Sequence, residues 1–99
     1  MFLAGQIPLD PTTGKLVSGS IAEETDRIMN NLRAVLSAAG ATLDHVVKTT
    51  VYLTNMADFS AFNQAYASYF TKDPPARTTV AVAALPLGAR VEVEAIAAL

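Results

Sequence analysis

Arg77 and Glu92 are the two charged residues whose surroundings most favour chemistry. Each lies in a run otherwise rich in Val, Ala and Ile, at 76–82 and 90–96. A guanidinium can bind a carboxylate through two parallel hydrogen bonds, and a glutamate can act as an acid or a base. The same two side chains could also form a structural ion pair between strands. The residue types alone leave both interpretations open.

The two runs predict a β-hairpin with strands at about 77–84 and 90–98. β-branched residues alternate along both runs, and a turn containing Pro86 and Gly88 separates them, which is typical of antiparallel neighbours. This hairpin would place the two charged residues on adjacent strands.

The upstream segments predict a strand, a helix, a strand and a second helix. The first helix, at about 20–39, begins with the capping box Ser20-Ile21-Ala22-Glu23 and stops at Gly40. Its predicted buried face consists of Ile21, Thr25, Ile28, Leu32, Val35, Leu36 and Ala39. The other predicted elements are a strand ending at Ile7, a strand from His45 to Thr54, and a helix from the N-cap Asp58 to about Phe70. The aromatic stripe of this second helix is interpreted as core.

This order of elements predicts an α+β two-layer sandwich, with two helices on one face of a mixed sheet. Residues 1–99 form one domain in this interpretation. The chain is 52% hydrophobic, which is more apolar material than a lone domain of this size can bury, and an oligomeric interface would accommodate the surplus. The alternative is that alanines on the surface account for much of it.

Several function classes are disfavoured by composition. The net charge is −2 and no basic stripe is present, so nucleic acid is not expected as a partner. The chain has no cysteine and one histidine, His45, so no metal site is expected. No run is long and apolar enough to span a membrane and no signal peptide is evident, so the expected location is cytoplasmic.

Three stretches, in the right order, resemble the Rid family of reactive intermediate deaminases, also called the YjgF family. They are Ala4–Asp10 with Thr13-Gly14; Val46–Leu53 with Asp58-Phe59, Asn63–Tyr66 and Tyr69-Phe70; and Pro75–Val80 with Val91–Ala97. The resemblance covers nearly the whole chain.

The resemblance implies a chorismate-mutase-like fold and a homotrimer with its sites in the clefts between subunits. The implied reaction is hydrolysis of reactive 2-imino acids, such as 2-iminobutanoate and 2-iminopropanoate, to 2-keto acids and ammonia, without a metal or an organic cofactor. The alternative is a non-catalytic trimer that binds small carboxylates or regulates a partner. Ribonuclease activity, attached to some members, is disfavoured by the acidic charge and by the lack of a histidine pair.

The family's site residues match five positions in this sequence. Arg77 would anchor the substrate carboxylate, and Glu92 would position and activate the hydrolytic water. Gly5 would allow close approach of backbone and ligand, Thr79 would offer its backbone N–H, and Asn63 would lie nearby. Gly5 and Thr79 could equally be ordinary strand residues, and Asn63 could be a cap-like or core hydrogen-bonding group.

Two departures from the family pattern stand out. Position 4 is Ala where many members have Ser, which removes one hydroxyl. Family members also have roughly two dozen residues before the Gly5 region, including a strand and a tyrosine near the ligand; without that strand, a sheet edge is unpaired and the pocket is incomplete.

Overall fold

The computed structural model describes residues 1–99 and contains four strands and two α-helices. In chain order they are β1 (Phe2–Gln6), α1 (Ile21–Ala38), β2 (Val46–Leu53), α2 (Phe59–Ala67), β3 (Ala76–Ala81) and β4 (Val91–Ala97). Three short 3-10 turns lie at 43–45, 56–58 and 86–88. Both helices pack on one face of the mixed sheet, so the predicted α+β two-layer fold is confirmed.

The sheet has the strand order β1-β4-β2-β3, so the predicted hairpin of β3 and β4 is wrong. β4 runs antiparallel to both β1 and β2, whereas β3 pairs with β2 in parallel. The connection between β3 and β4 passes over the end of β2: the backbone N–H of Val82 donates to Leu53 O at 2.8 Å, and Thr54 N–H donates to Arg90 O at 3.1 Å. A connection of this length need not join neighbouring strands.

The local signals of α1 are confirmed. The hydroxyl of Ser20 accepts from Glu23 N–H at 3.1 Å, and the Glu23 carboxylate accepts from Ser20 N–H at 3.2 Å, which completes the capping box. Gly40 has a φ of +75°, which an L side chain rarely adopts. The predicted buried face holds except at Val35 and Ala39, which are exposed.

The second helix begins as predicted but is shorter and is capped differently. Asp58 has helical backbone angles and makes no side-chain capping bond. Asn55 instead accepts from Ala57 N–H at 3.0 Å and caps the 3-10 turn that leads into α2. The aromatic stripe does form core: Phe62 and Tyr66 are buried, and Phe59, Tyr69 and Phe70 pack against them.

The two faces of the sheet differ in what covers them. The face toward the helices is mostly apolar in its centre, where the side chains of β2 and β4 are buried, and it carries Thr49 and, at the edge on β3, Arg77 and Thr79. The opposite face, called the open face below, carries Phe2, Lys48, Thr50, Tyr52, Thr78, Val80, Glu92, Glu94 and Ile96. Phe2 on this face is 85% exposed. Neither helix combines the length and hydropathy needed to cross a bilayer.

Candidate active site

Arg77 lies on the helix-facing side of β3, at the edge of the sheet. It pairs with Thr49 of β2, whose hydroxyl lies 2.7 Å from the hydroxyl of Tyr66. The guanidinium carbon of Arg77 lies 4.9 Å from the centroid of the Tyr66 ring and 5.6 Å from that of Phe59. These distances are typical of cation–π contacts, so two rings of α2 hold the guanidinium in place.

No carboxylate of the chain pairs with Arg77. The ion pair that the fold does form joins Arg90 to the buried carboxylate of Glu24, between the start of β4 and the first turn of α1. The interpretation of Arg77 and Glu92 as a structural ion pair is therefore wrong. A held guanidinium without an anionic partner can bind the carboxylate of a ligand.

Polar groups of β3 and α2 accompany Arg77. Thr79 lies two residues further along β3 on the same face, and its hydroxyl oxygen is buried without a hydrogen-bond partner. Asn63 lies about one helical turn from both Phe59 and Tyr66, on the same stripe of α2. Burial raises the pKa of the Tyr66 hydroxyl, while its hydrogen bond with Thr49 and the charge of Arg77 act in the opposite direction.

Glu92 lies on the open face, in contact with Gly5 of β1. A Cβ added at position 5 would lie 2.5 Å from Oε2 of Glu92 and 2.8 Å from its Cδ. Gly5 therefore provides the space in which the Glu92 carboxylate lies, and its backbone angles need no glycine. The close approach of a ligand to the Gly5 backbone stays a prediction, and within the chain the neighbouring group is the Glu92 carboxylate.

A second carboxylate, Glu94, lies on the same face, as alternation along the strand predicted. The hydroxyl of Tyr52 donates to Oε1 of Glu94 at 2.7 Å. This hydrogen bond, followed by desolvation and the charges of Glu94 and Glu92, raises the pKa of Tyr52. Sequence reasoning missed Tyr52, although its alternation along β2 would have identified it once the register with β4 was known.

Within one protomer, Arg77 and Glu92 project from opposite faces of the sheet. Arg77, Thr79 and the α2 stripe form one group, and Glu92 with Gly5 forms another. The five predicted site residues therefore form two separate groups: Arg77, Thr79 and Asn63 on the helix-facing side, and Glu92 and Gly5 on the open face. A small ligand bound on one face of the sheet would therefore contact only one of these groups.

Three cavities of the single chain are lined by neither Arg77 nor Glu92. Two adjoining cavities of about 390 and 290 Å³ share Leu43, Asp44 and Tyr69, at the C-terminal ends of α1 and α2. A third, of about 130 Å³, lies on the open face between Phe2 and Glu94. No cluster of three or more His, Asp or Glu side chains is arranged to hold a metal ion.

The chain is similar to known proteins both in sequence and in fold. A family model described as endoribonuclease L-PSP matches residues 1–99. The chain is 52% identical over 96 residues to protein DfrA of Myxococcus xanthus, covering 97% of this chain and 73% of that protein. It is 46% identical over 97 residues to the 2-iminobutanoate/2-iminopropanoate deaminase of Homo sapiens, covering 98% of this chain and 71% of that protein. The crystal structure of a protein from Thermotoga maritima superposes with a TM-score of 0.96 at 50% identity, covering 99% of this chain and 77% of that one.

Proposed function

The chain belongs to the endoribonuclease L-PSP family, also called the YjgF or Rid family, and we propose that it hydrolyses reactive 2-imino acids to 2-keto acids and ammonia. The observation that supports this most is the Arg77 guanidinium, which is held on two aromatic rings, lacks a carboxylate partner, and lies beside the unpaired hydroxyl of Thr79. Relatives in mouse and human are named 2-iminobutanoate/2-iminopropanoate deaminase, while others carry different names. The substrate is therefore part of the proposal.

The proposed chemistry uses one group to hold the substrate and one to handle the water. Arg77 binds the substrate carboxylate through two parallel hydrogen bonds and so fixes the position of the imine carbon. Glu92 holds a water molecule and accepts its proton as the oxygen adds to that carbon. Glu92 passes this proton to the nitrogen. The added hydroxyl then gives up its own proton to the same nitrogen as the C–N bond breaks and the C=O bond forms, which leaves the keto acid and ammonia.

A homotrimer with composite sites is part of the same proposal. Because Arg77 and Glu92 project from opposite faces of one sheet, a substrate held by Arg77 would meet Glu92 of the partner subunit. The open face supports this assembly, since Phe2 and Val80 are exposed on it. We expect the subunits to pack with this face toward the interface.

Complementation between two defective variants tests the composite site. Arg77→Ala and Glu92→Gln are each expected to be defective, with Glu92→Gln losing about 10²–10⁴-fold in rate. When the two are unfolded together in equal amounts and refolded, random assembly makes about one site in four intact, so about a quarter of the parent activity should return. The imine is generated in situ by an amino-acid oxidase, and its decay is followed by trapping with semicarbazide.

The controls are each variant refolded alone and the mass of the assembly. Sedimentation equilibrium should give about three times the protomer mass of 10.4 kDa. Mixed refolding that yields trimers but no activity would show that both groups act within one subunit. A clean monomer would contradict the shared site altogether.

A non-catalytic protein that binds small carboxylates is the second candidate. It is favoured by the separation of the two groups, because one protomer presents Arg77 without Glu92. Binding of 2-ketobutyrate without any acceleration of imine decay would support this candidate. Ribonuclease activity, named in the family description, is disfavoured by the net charge of −2 and the single histidine. A cytoplasmic location stays part of the proposal, and cell fractionation would test it.

A further inference from the structure

The open face carries two carboxylates, of which only one is hydrogen-bonded. Glu92 and Glu94 are both half-buried and lie two residues apart on β4, so their Cα atoms are about 7 Å apart. Oε1 of Glu94 accepts from the Tyr52 hydroxyl at 2.7 Å. The carboxylate of Glu92 accepts no hydrogen bond within the chain and lies against Gly5. Two chemically identical side chains are thus held in different ways.

Tyr52 is the residue that makes this difference. In the pairing of β2 with β4 it stands directly opposite Glu92, yet its hydroxyl reaches diagonally to Glu94. Such diagonal contacts across antiparallel strands are within reach of an aromatic side chain. Glu92 is therefore flanked by Tyr52 on the β2 side and by Gly5 on the β1 side.

The hydroxyl of Tyr52 is a stable donor in this position. The hydrogen bond to Glu94 is the largest cause of the raised pKa of Tyr52, and the charges of Glu94 and Glu92 act in the same direction. Lys48 is the other charged residue of β2 on this face. Its Nζ donates a hydrogen bond to the Thr78 hydroxyl at 2.5 Å. The Tyr52 hydroxyl is therefore protonated at neutral pH and donates a hydrogen bond to Glu94.

Building on the proposed function, we propose that Tyr52 is a positioning residue, whose hydroxyl holds the Glu94 carboxylate aside and leaves Glu92 as the single carboxylate available to the hydrolytic water. Without the hydroxyl, a charged and mobile Glu94 would repel Glu92 and compete with it for the same water. The effect of Tyr52 on the reaction therefore passes through the charge of Glu94.

Rescue by a second substitution tests this inference. Tyr52→Phe keeps the ring and removes the hydroxyl, and we expect it to lower kcat about 10-fold while KM changes less than about twofold, since substrate binding rests on Arg77. Glu94→Gln alone should leave kcat within about threefold of the parent, because a neutral amide neither repels Glu92 nor acts as a base. Tyr52→Phe combined with Glu94→Gln should return kcat to the level of Glu94→Gln.

Tyr69→Phe is the matched control. It also removes a tyrosine hydroxyl that donates to a carboxylate, at 2.8 Å to Asp26, but on the helix layer of the fold. We expect its kcat to equal that of the parent. Sedimentation of every variant checks that the assembly persists.

A second measurement is independent of activity. Tyrosine labelled with ¹³C at Cζ allows the titration of Tyr52 to be followed by NMR. Glu94→Gln should lower the pKa of Tyr52 more than Glu92→Gln does, because the hydrogen bond from Tyr52 goes to Glu94. The reverse order would place the hydroxyl on Glu92 and overturn the inference.

The outcomes separate the inference from the proposed function. A parent protein without imine hydrolysis overturns the proposed function and, with it, the catalytic part of this inference. An active parent in which Tyr52→Phe is unimpaired, or in which Glu94→Gln does not rescue Tyr52→Phe, overturns the positioning role alone. If Tyr52→Phe loses activity and Glu94→Gln restores it, the positioning role is supported. A purely structural hydrogen bond would be lost in either single variant, and the second substitution would then restore nothing.

Discussion

Substitution of Arg77 is the most direct test of where a ligand carboxylate binds. Within the protomer the guanidinium forms no ion pair and lies over the rings of Tyr66 and Phe59, at 4.9 and 5.6 Å from the centroids. Cation–π contacts at partly exposed sites contribute about 0.5–1 kcal/mol each. Arg77→Ala should therefore lower the free energy of unfolding by only about 1–2 kcal/mol.

The expected effect on binding is larger. Removing one partner of a buried, hydrogen-bonded charge pair costs about 2–5 kcal/mol. At about 1.4 kcal/mol per decade, Arg77→Ala should weaken binding of 2-ketobutyrate about 30- to 4,000-fold. Arg77→Lys keeps the charge but loses the planar fork and the stacking on the rings, so its Kd should fall between those of the parent and Arg77→Ala.

Isothermal titration calorimetry with 2-ketobutyrate measures these effects, and Arg33→Ala is the matched control. The guanidinium of Arg33 lies 4.8 Å from the Tyr69 ring centroid, so this variant loses a comparable cation–π contact far from β3. Its Kd should equal that of the parent. If Arg77→Ala binds the keto acid within about twofold of the parent while the assembly persists, the reasoning on the carboxylate site is refuted.

Three further predictions concern the groups around the site and the fold. Gly5→Ala adds a Cβ that displaces the Glu92 carboxylate, so kcat should fall about 10²-fold with little change in stability by urea unfolding. Arg90→Ala leaves the buried carboxylate of Glu24 unpaired and should lower the free energy of unfolding by about 2–4 kcal/mol in the same assay. The pKa of Tyr69 is raised from 10.0 to about 12, chiefly by burial, so its contribution to stability is complete below pH 10 and is lost as the pH rises through 12.

Each of these predictions has a control in the same chain. Gly19→Ala adds a Cβ 3.1 Å from the Glu23 carboxylate, outside the site, and should leave kcat unchanged. Arg33→Ala removes an arginine that pairs with no buried acid, so it should lower the free energy of unfolding far less than Arg90→Ala does. Tyr69→Phe should reduce the loss of stability between pH 10 and pH 12, and the rest of the loss belongs to Tyr52 and Tyr66, whose pKa values are also raised. An unchanged pH dependence would contradict a contribution from Tyr69.

The parts of the fold that depend on neighbouring residues could be predicted from the sequence. The capping box at Ser20 and the left-handed Gly40 bound α1 by contacts within four residues, and both are confirmed. The pairing of β3 could not be predicted in this way, because its partner Thr49 lies 28 residues earlier than Arg77. The Pro86–Gly88 turn suggested a tight hairpin, whereas it is one part of a longer connection in which Leu87 has a φ of +58°.

For the candidate site, the sequence predicts which residues matter but not where they lie relative to one another. Residue type and family resemblance both point to Arg77 and Glu92, and neither side chain has a charged partner within the protomer. Their separation could not be predicted, because the hairpin interpretation made them neighbours. Tyr52 escaped notice because a tyrosine in a strand is ordinary until its register with Glu92 is known.

The parity of strand pairing explains why Arg77 and Glu92 face opposite ways. Arg77 is aligned with Thr49 of β2, and Glu92 is aligned with Tyr52. Thr49 and Tyr52 are three residues apart, an odd number, so their side chains and those of their aligned partners lie on opposite faces. A shift of one residue in either pairing would bring both charges to one face, where they could neutralise each other. The observed register instead keeps the two charges on opposite faces, and neither has a charged partner within the protomer.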